Sequence, residues 1–298
     1  MTKESIAESF QSLQDRICQS LERVDGKSKF QEDLWTRPDG GGGRTRMIGG
    51  EGVIEKGGVN FSEVHGAVTD LMKKNTEIEG DSFFATGVSI VIHPHSPHIP
   101  IIHMNVRYFE LDNGRYWFGG GIDLTPHYIV PSQAQKFHTG LKSVCDKYNS
   151  EFYTKFKLWA DDYFFLAHRN ETRGVGGIFF DHLKEDEHNS KEKLLSYCIE
   201  LGDTLSELYG SQVKFGAKEH ITKRHVDWRN IRRGRYVEFN LVSDRGTKFG
   251  LVSGGRTESI LMSLPPVANW EYCKEIEPNS QEELTLNNLK KGVDWLQK

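Results

Sequence analysis

The chain has 298 residues, with 38 Lys and Arg against 42 Asp and Glu and a formal net charge of −4, which argues against a protein built as a whole to attract nucleic acid or acidic lipid. Hydrophobic residues at 37% and charged residues at 27% are those of a water-soluble globular protein, long enough to bury a substantial core. No apolar run approaches the roughly 20 residues of a membrane span. The opening MTKESIAESF carries neither an apolar secretory core nor an Arg-rich, acid-poor leader. Cys18, Cys145, Cys198 and Cys273 show no CxxC spacing, so reduced thiols and a cytoplasmic location are expected.

In chain order, Ile6, Phe10, Leu13, Ile17, Leu21 and Val24 recur at steps of three or four and predict a helix stopped by Gly26. Gly40 to Gly43 predicts a flexible segment, followed by short strands around Met47 to Glu55; Ser62 to Lys74 predicts a helix. SFFATGVSIVIHP and IIHMNVRYFEL, rich in β-branched and aromatic residues, predict neighbouring strands, and Arg115 to Phe118 a third. Pro131 to Tyr148, Glu151 to Arg169 and Ser190 to Tyr209 predict helices, the second with a buried stripe of Phe152, Phe156, Trp159, Tyr163 and Ala167. RYVEFNLV, DRGT and KFGLVS predict a strand, a tight turn and a returning strand, and a last helix is expected from Ser280 to Leu296. Strands and helices come in clusters, which predicts an α+β fold with a large, flat, mainly antiparallel sheet flanked by helices on both faces. No linker splits the chain, so residues 1–298 are expected to form a single domain.

The two central strands carry the chemistry. Alternation puts His103, Asn105, Arg107 and Phe109 on one face, and Ser89, Val91 and His93 on one face of the preceding strand. Solvent-facing sheets favour Lys, Glu and Thr, whereas Ser, His, Asn and Arg are groups that bind anions and move protons. His93, His95, His98 and His103 lie close in sequence, with His138 and His168 on predicted helices. No fixed-spacing ligand motif such as HExxH is present, and a metal site would need three or four of them to converge. Asp123 follows Gly119-Gly120-Gly121, where missing side chains let a bulky ligand approach the backbone. Asp244 falls in the predicted DRGT turn, where an Asp commonly bonds its own backbone. Gly40 to Gly43 lacks the GK(S/T) ending of a phosphate loop and reads as a flap carrying Arg44 and Arg46. Arg229, Arg232, Arg233 and Arg235 read as a solvated basic rim.

From about Trp35 to Tyr272 these motifs resemble, in order, the oxygen-dependent coproporphyrinogen III oxidases. The likeness is carried by RPDGGGGRTRMIGGEGVIEKGGVNFS, GVSIVIHPHSPHIPIIHMNVRYFE, WFGGGIDLTPHY, KLWADDYFFLAHRNETRGVGGIFFD and GRYVEFNLVSDRGTKFGLVSGGRTESILMSLPP. Lys157, Trp159, Asp161, Asp162, Tyr163, Phe164, His168 and Arg169 fit the family signature, with Ala160 in place of its usual Cys. The resemblance implies a homodimer formed through Tyr236 to Glu271 and an active site over one sheet face. It implies substrate contacts at Ser89, at Asn105, Val106 and Arg107, and at Gly254, Gly255 and Arg256, with His103 as proton donor. It further implies O2 as co-substrate and no organic cofactor. In some relatives a divalent metal is held by histidines matching His93, His103, His138 and His168.

The implied reaction turns two propionates of coproporphyrinogen III into vinyl groups, giving protoporphyrinogen IX, CO2 and H2O2 in heme biosynthesis. A tetra-anion bound by a chain of net charge −4 needs focused cations, and Arg107 and Arg256 offer planar forks for carboxylates. Arg44 or Arg46 on the flap is expected to close over the ligand, and Phe109 to cover the ring. Asp123 and Asp244 are the candidates for carboxylates facing the pyrrole N–H groups, where they would stabilise positive charge as electrons leave the ring. A metal-dependent oxygenase built on the histidines and a non-catalytic tetrapyrrole carrier are the alternatives.

Overall fold

β-Branched and aromatic residues alternating with small or polar ones build the central layer. The computed structural model describes residues 1–298 apart from 70–72, 74–78, 253 and 254, and only the backbone of Phe249 and Val252. Six strands follow one another as β1 (Gln31–Thr36), β2 (Gly41–Ile48), β3 (Ile54–Ala67), β4 (Ser82–Pro94), β5 (Ile101–Leu111) and β6 (Tyr116–Thr125). After a long excursion that includes the short ribbon β7 (Phe165–Leu166) and β8 (Glu171–Thr172), β9 (Gly176–Leu183) returns beside β6. The result is a seven-stranded sheet in the order β1-β2-β3-β4-β5-β6-β9, antiparallel at every pairing.

Register decides what each face carries. Val88 lies opposite Val106 and Ile90 opposite Met104, all buried, on the face covered by α1 (Lys3–Asp25), α2 (Pro131–Tyr148) and α4 (Lys191–Gly216). In α1 the predicted stripe of Ile6, Phe10, Leu13, Ile17 and Leu21 is buried. Thr2 accepts the Ser5 amide at its start, and Gly26 ends it at φ 79°, a left-handed conformation that glycine adopts without strain. Fully burying one such side chain is worth roughly 1.5–3 kcal/mol, so this stripe, rather than helix propensity, holds α1 in place.

The opposite face is covered in part. Tyr236 in α5 (Lys223–Glu238) packs on Val91 and Ile101, and Phe239 of the following π-helical turn joins Phe164 and Phe179. The helix α3 (Phe152–Tyr163) wraps the β9 edge, with Phe156 on Phe180 on one side and Tyr163 stacked on Phe179 on the other. The edge is thereby shielded from pairing with another chain. The α+β class with helices on both faces therefore holds.

Several local expectations are corrected. Gly41 to Gly43 form the start of β2 rather than a flap, and Arg44 and Arg46 point to the α1 face, where both bind Asp15 at 2.7 Å. Ser62 to Ala67 belong to β3; of the predicted helix to Lys74, residues 70–72 and 74 lie outside the described residues. The segment predicted as two strands and a turn is the end of α5, the π-helical turn and α6 (Arg245–Val252). Buried positions at Arg232, Tyr236, Phe239 and Asn240 keep a helical spacing that outweighs the β-branched composition. The predicted basic rim is mostly interior: Arg229, Arg232 and Arg233 are buried, Arg232 pairs with Glu171 at 3.0 Å and Arg233 with Glu55 at 2.5 Å. Acids on the sheet and on the β7–β8 ribbon make that burial tolerable. The predicted helix to Arg169 stops at Tyr163, leaving Ala167 exposed, and the last helix, α8 (Gln281–Asn288), stops well short of Leu296.

Candidate active site on the polar face of the sheet

Side chains at alternate positions of β4, β5 and β6 rise from the face opposite α1. Across the strands, Asn60 lies opposite Ser89, Ser89 opposite Asn105, and Asn105 opposite Gly121. One step along, Gly87 lies opposite Arg107 and Arg107 opposite Gly119; one step the other way, Val91 faces His103 and His103 faces Asp123. Glycines on either side of Arg107, and Gly121 beside Asn105, leave a low floor from which only a few polar groups project. His103 and Arg107 share this face, as strand alternation requires.

The deepest polar group is Asp123, 1% exposed, whose Oδ1 accepts from His103 Nδ1 at 2.8 Å and from Arg173 at 2.7 Å, while Oδ2 accepts from Arg173 Nε at 3.2 Å. Burial pushes the Asp123 carboxyl up, but the Arg173 charge and the His103 hydrogen bond outweigh it and hold it below the ordinary carboxylate value. Because Nδ1 donates to this carboxylate, Nε2 is the His103 nitrogen left for a ligand. Arg173 also donates to Asn240 Oδ1 at 2.9 Å and lies within 4.8 Å of the rings of Phe164, Tyr236 and Phe239, a cation held by an acid, an amide and π faces.

Arg107 donates to Asn105 Oδ1 at 2.8 Å and pairs with Asp181 at 2.9 Å. Beyond it, Phe83, Phe109, Trp117 and His182 stack in sequence at centroid distances of 5.6, 4.6 and 4.8 Å, forming an apolar wall at one end of the floor. At the far side Arg256 pairs with Asp33 at 2.5 Å, and its buried Nη1 has no partner among the described residues. The short helix α7 (Thr257–Leu261) that follows Arg256 is moored to the same face. Ser259 bonds Thr45 at 3.0 Å, His93 Nε2 bonds the Ser263 carbonyl at 2.8 Å and Lys56 bonds the Leu264 carbonyl at 2.7 Å. Asp244 accepts from Tyr163 OH at 2.8 Å and from the Thr247 amide at 2.6 Å. It caps α6, the backbone-bonding role of a turn Asp, and it also stands beside the Tyr163–Phe179 stack at the floor's edge.

Thus His103, Asp123, Ser89, Asn105 and Arg107 come together on one face. The Val106 side chain points to the other face and is buried, so only its backbone can meet a ligand. Gly255 precedes Arg256, and Gly254 lies outside the described residues. The four histidines expected as metal ligands occupy separate hydrogen-bond sets: His93 on Ser263, His103 on Asp123, His138 on Tyr153 and the Val175 carbonyl, and His168 on Glu238. Among the described residues no three His, Cys, Asp or Glu converge to hold a metal ion, so these histidines do not fit one shared ion. Arg173 and Asp181 were missed by sequence reasoning. Both lie within the KLWADDYFFLAHRNETRGVGGIFFD motif, and strand alternation from Gly177 through Phe179 to Asp181 was the available signal for the second. A separate cavity of about 20 Å³ beside His98, Tyr128 and Gln133 has room for one water and no macrocycle.

Glycines, a histidine hydrogen-bonded to a buried acid, an exposed arginine and an aromatic wall thus share one face of the sheet. The sequence matches the family described as Coproporphyrinogen III oxidase over residues 5–295, and the chain belongs to that family. It is 46% identical over 307 residues to an oxygen-dependent coproporphyrinogen-III oxidase of Prochlorococcus marinus strain NATL2A, covering 95% of this chain and 88% of the relative. A protein of the same name from strain NATL1A shows the same identity and coverage.

Proposed function

We propose that the chain oxidatively decarboxylates two propionates of coproporphyrinogen III to vinyl groups with O2, in heme biosynthesis, and that the reaction takes place on the polar face of the sheet. The His103–Asp123–Arg173 array beside Arg107 is the observation that carries this reading. For each propionate, the –CH2CH2COOH group and O2 become –CH=CH2, CO2 and H2O2. The C–H and C–C bonds broken supply two electrons to O2, and two protons complete the peroxide.

The chain's residues bind, orient and move protons. Arg107 and the part-exposed Arg256 hold propionates, while Ser89 and Asn105 supply hydrogen bonds between them. The floor of Gly87, Gly119 and Gly121 receives the ring, and Phe109 and Trp117 bound it. His103 Nε2 donates a proton to reduced oxygen. Asp123 acts beneath His103 rather than on the pyrroles, fixing the tautomer and stabilising the imidazolium, and Arg173 keeps it ionised. The half-buried Asp244 carboxylate is the one left to meet a pyrrole N–H and offset positive charge as the ring is oxidised.

The mixture of acid, base and cations on one face supports catalysis over storage, which calls for binding groups alone. The chain is read as one catalytic domain. The exposed Leu241, Val242, Leu251, Val267 and Trp270, all within Tyr236 to Glu271, support pairing with a second copy of the chain through that region. The four cysteines are unbonded, three of them buried, and no described helix is long and apolar enough to cross a membrane; the free thiols support a cytoplasmic location. The test is anaerobic mixing with coproporphyrinogen III followed by admission of O2. Two CO2 and one divinyl product per substrate are expected only after O2 enters. Equal turnover without O2, on another electron acceptor, or binding with no CO2 at all, would overturn the proposal.

A further inference from the structure

Arg107 is not a free cation. Its guanidinium is shared between Asn105 Oδ1 and Asp181 Oδ2, and both charged side chains stay open to the face, 39% and 26% exposed. Three features of the local fold hold the pair. First, β9 is irregular opposite β6 between Phe118 and Gly120, a bulge that re-aims the side chains around it. Second, His182 takes a left-handed backbone, φ 49°, donates its amide to Asp181 Oδ1 at 2.9 Å and stacks its ring on Trp117. A histidine in that conformation is strained, and the cost is borne where a side chain must be aimed. Third, Gly119 leaves the space between them open: a Cβ there would come within 2.6 Å of Asp181 Oδ1 and 2.8 Å of Arg107 Nε.

The consequence is electrostatic. Arg107 with Asp181 is neutral, so one propionate seated on the fork leaves a net charge of −1. A second carboxylate on the neighbouring ring carbon would meet two anions against one cation. Coproporphyrinogen carries a methyl at that neighbouring carbon, whereas a porphyrinogen with eight carboxylates carries an acetate there. We infer that Asp181 is a positioning and specificity-determining residue. It fixes the Arg107 fork and restricts its subsite to pyrroles with a single acid, turning away substrates with an acetate beside the propionate. This inference rests on the site reading above.

The test measures anaerobic binding of coproporphyrinogen III and of an eight-carboxylate porphyrinogen to the wild-type chain, to Asp181→Asn and to Asp181→Ser. Ser can still accept the His182 amide should Asn disturb the bulge. The wild type is expected to prefer the four-carboxylate ligand. Both variants are expected to shrink that preference roughly tenfold or more, since like charges about 5 Å apart repel strongly in a partly buried site. An unchanged ratio in folded variants, or equal weakening of both ligands, overturns the inference and leaves Asp181 as a support for Arg107. A wild-type chain that binds neither ligand overturns the site reading itself, and this inference with it.

Discussion

At the residue scale, the account turns on one buried carboxylate. Asp123 is nearly inaccessible and is satisfied by His103 and Arg173. Removing one partner of a buried pair leaves the other uncompensated, so Arg173→Met is expected to cost about 3–5 kcal/mol in urea unfolding. Adding Asp123→Asn to that variant should restore much of the loss, and a purely additive double mutant would contradict the pairing. His103→Gln keeps a hydrogen bond to Asp123 but cannot cycle a proton. Its kcat should fall roughly 10²–10⁴-fold, with KM little changed; a fall confined to KM would assign His103 to binding alone. His103, Asn105 and Arg107 were legible from the sequence because strand alternation places them together whatever the tertiary packing. Arg173 was not legible: it follows the β7–β8 ribbon, outside any periodic element, and of the rings that enclose it Phe164 lies just before that ribbon while Tyr236 and Phe239 come from a distant segment.

At the element scale, the sheet supplies the plane and its glycines supply the clearance. Gly119→Ala would press on the ends of the Arg107 and Asp181 side chains, which can swing aside, so the fold should survive while the fork is displaced. We expect kcat/KM to fall at least roughly tenfold with a loss of stability near 1 kcal/mol or less; an alanine variant of full activity would show that Arg107 need not stand where it does. Strands β4 and β5 were visible in the sequence because half-buried alternation is a local pattern. The segment after Arg235 was misread because Val237, Phe239, Leu241 and Val242 resemble a strand in composition, while Tyr236 and Phe239 obey a helical period set by the sheet beneath them. Arg44 and Arg46 were placed over the ligand because Gly40 to Gly43 suggested a flap. Once that stretch pairs as a strand, parity sends both arginines to α1.

At the scale of the whole molecule, three interior histidines couple stability to pH. Burial depresses His93 to about 3 and His138 to about 4, and pushes His127 well below its usual value. Arg233, Lys56 and Arg173 around His93, Arg233 and Arg229 around His127, and Lys157 beside His138 push the same way, against Asp294 near His138. Each histidine has a lower pKa folded than unfolded, so its contribution is intact above about pH 6.5 and is lost as pH falls toward the folded values. The unfolded chain then binds up to three more protons, and stability should drop by as much as roughly 4 kcal/mol per pH unit once well below pH 6.5. Urea midpoints at pH 7.5 and 5.5 check this, and equal midpoints would contradict it.

In this net-negative chain the part-exposed Arg107 and Arg256 are the cations proposed to meet the ligand. The most direct measurement is a structure of the chain with coproporphyrinogen III bound under anaerobic conditions. The ring is expected flat over Gly87, Asn105 and Gly121, with a propionate on Arg107 and His103 Nε2 within hydrogen-bond reach of a reacting side chain. A ring seated on the α1 side, or anywhere out of reach of His103, would contradict the account.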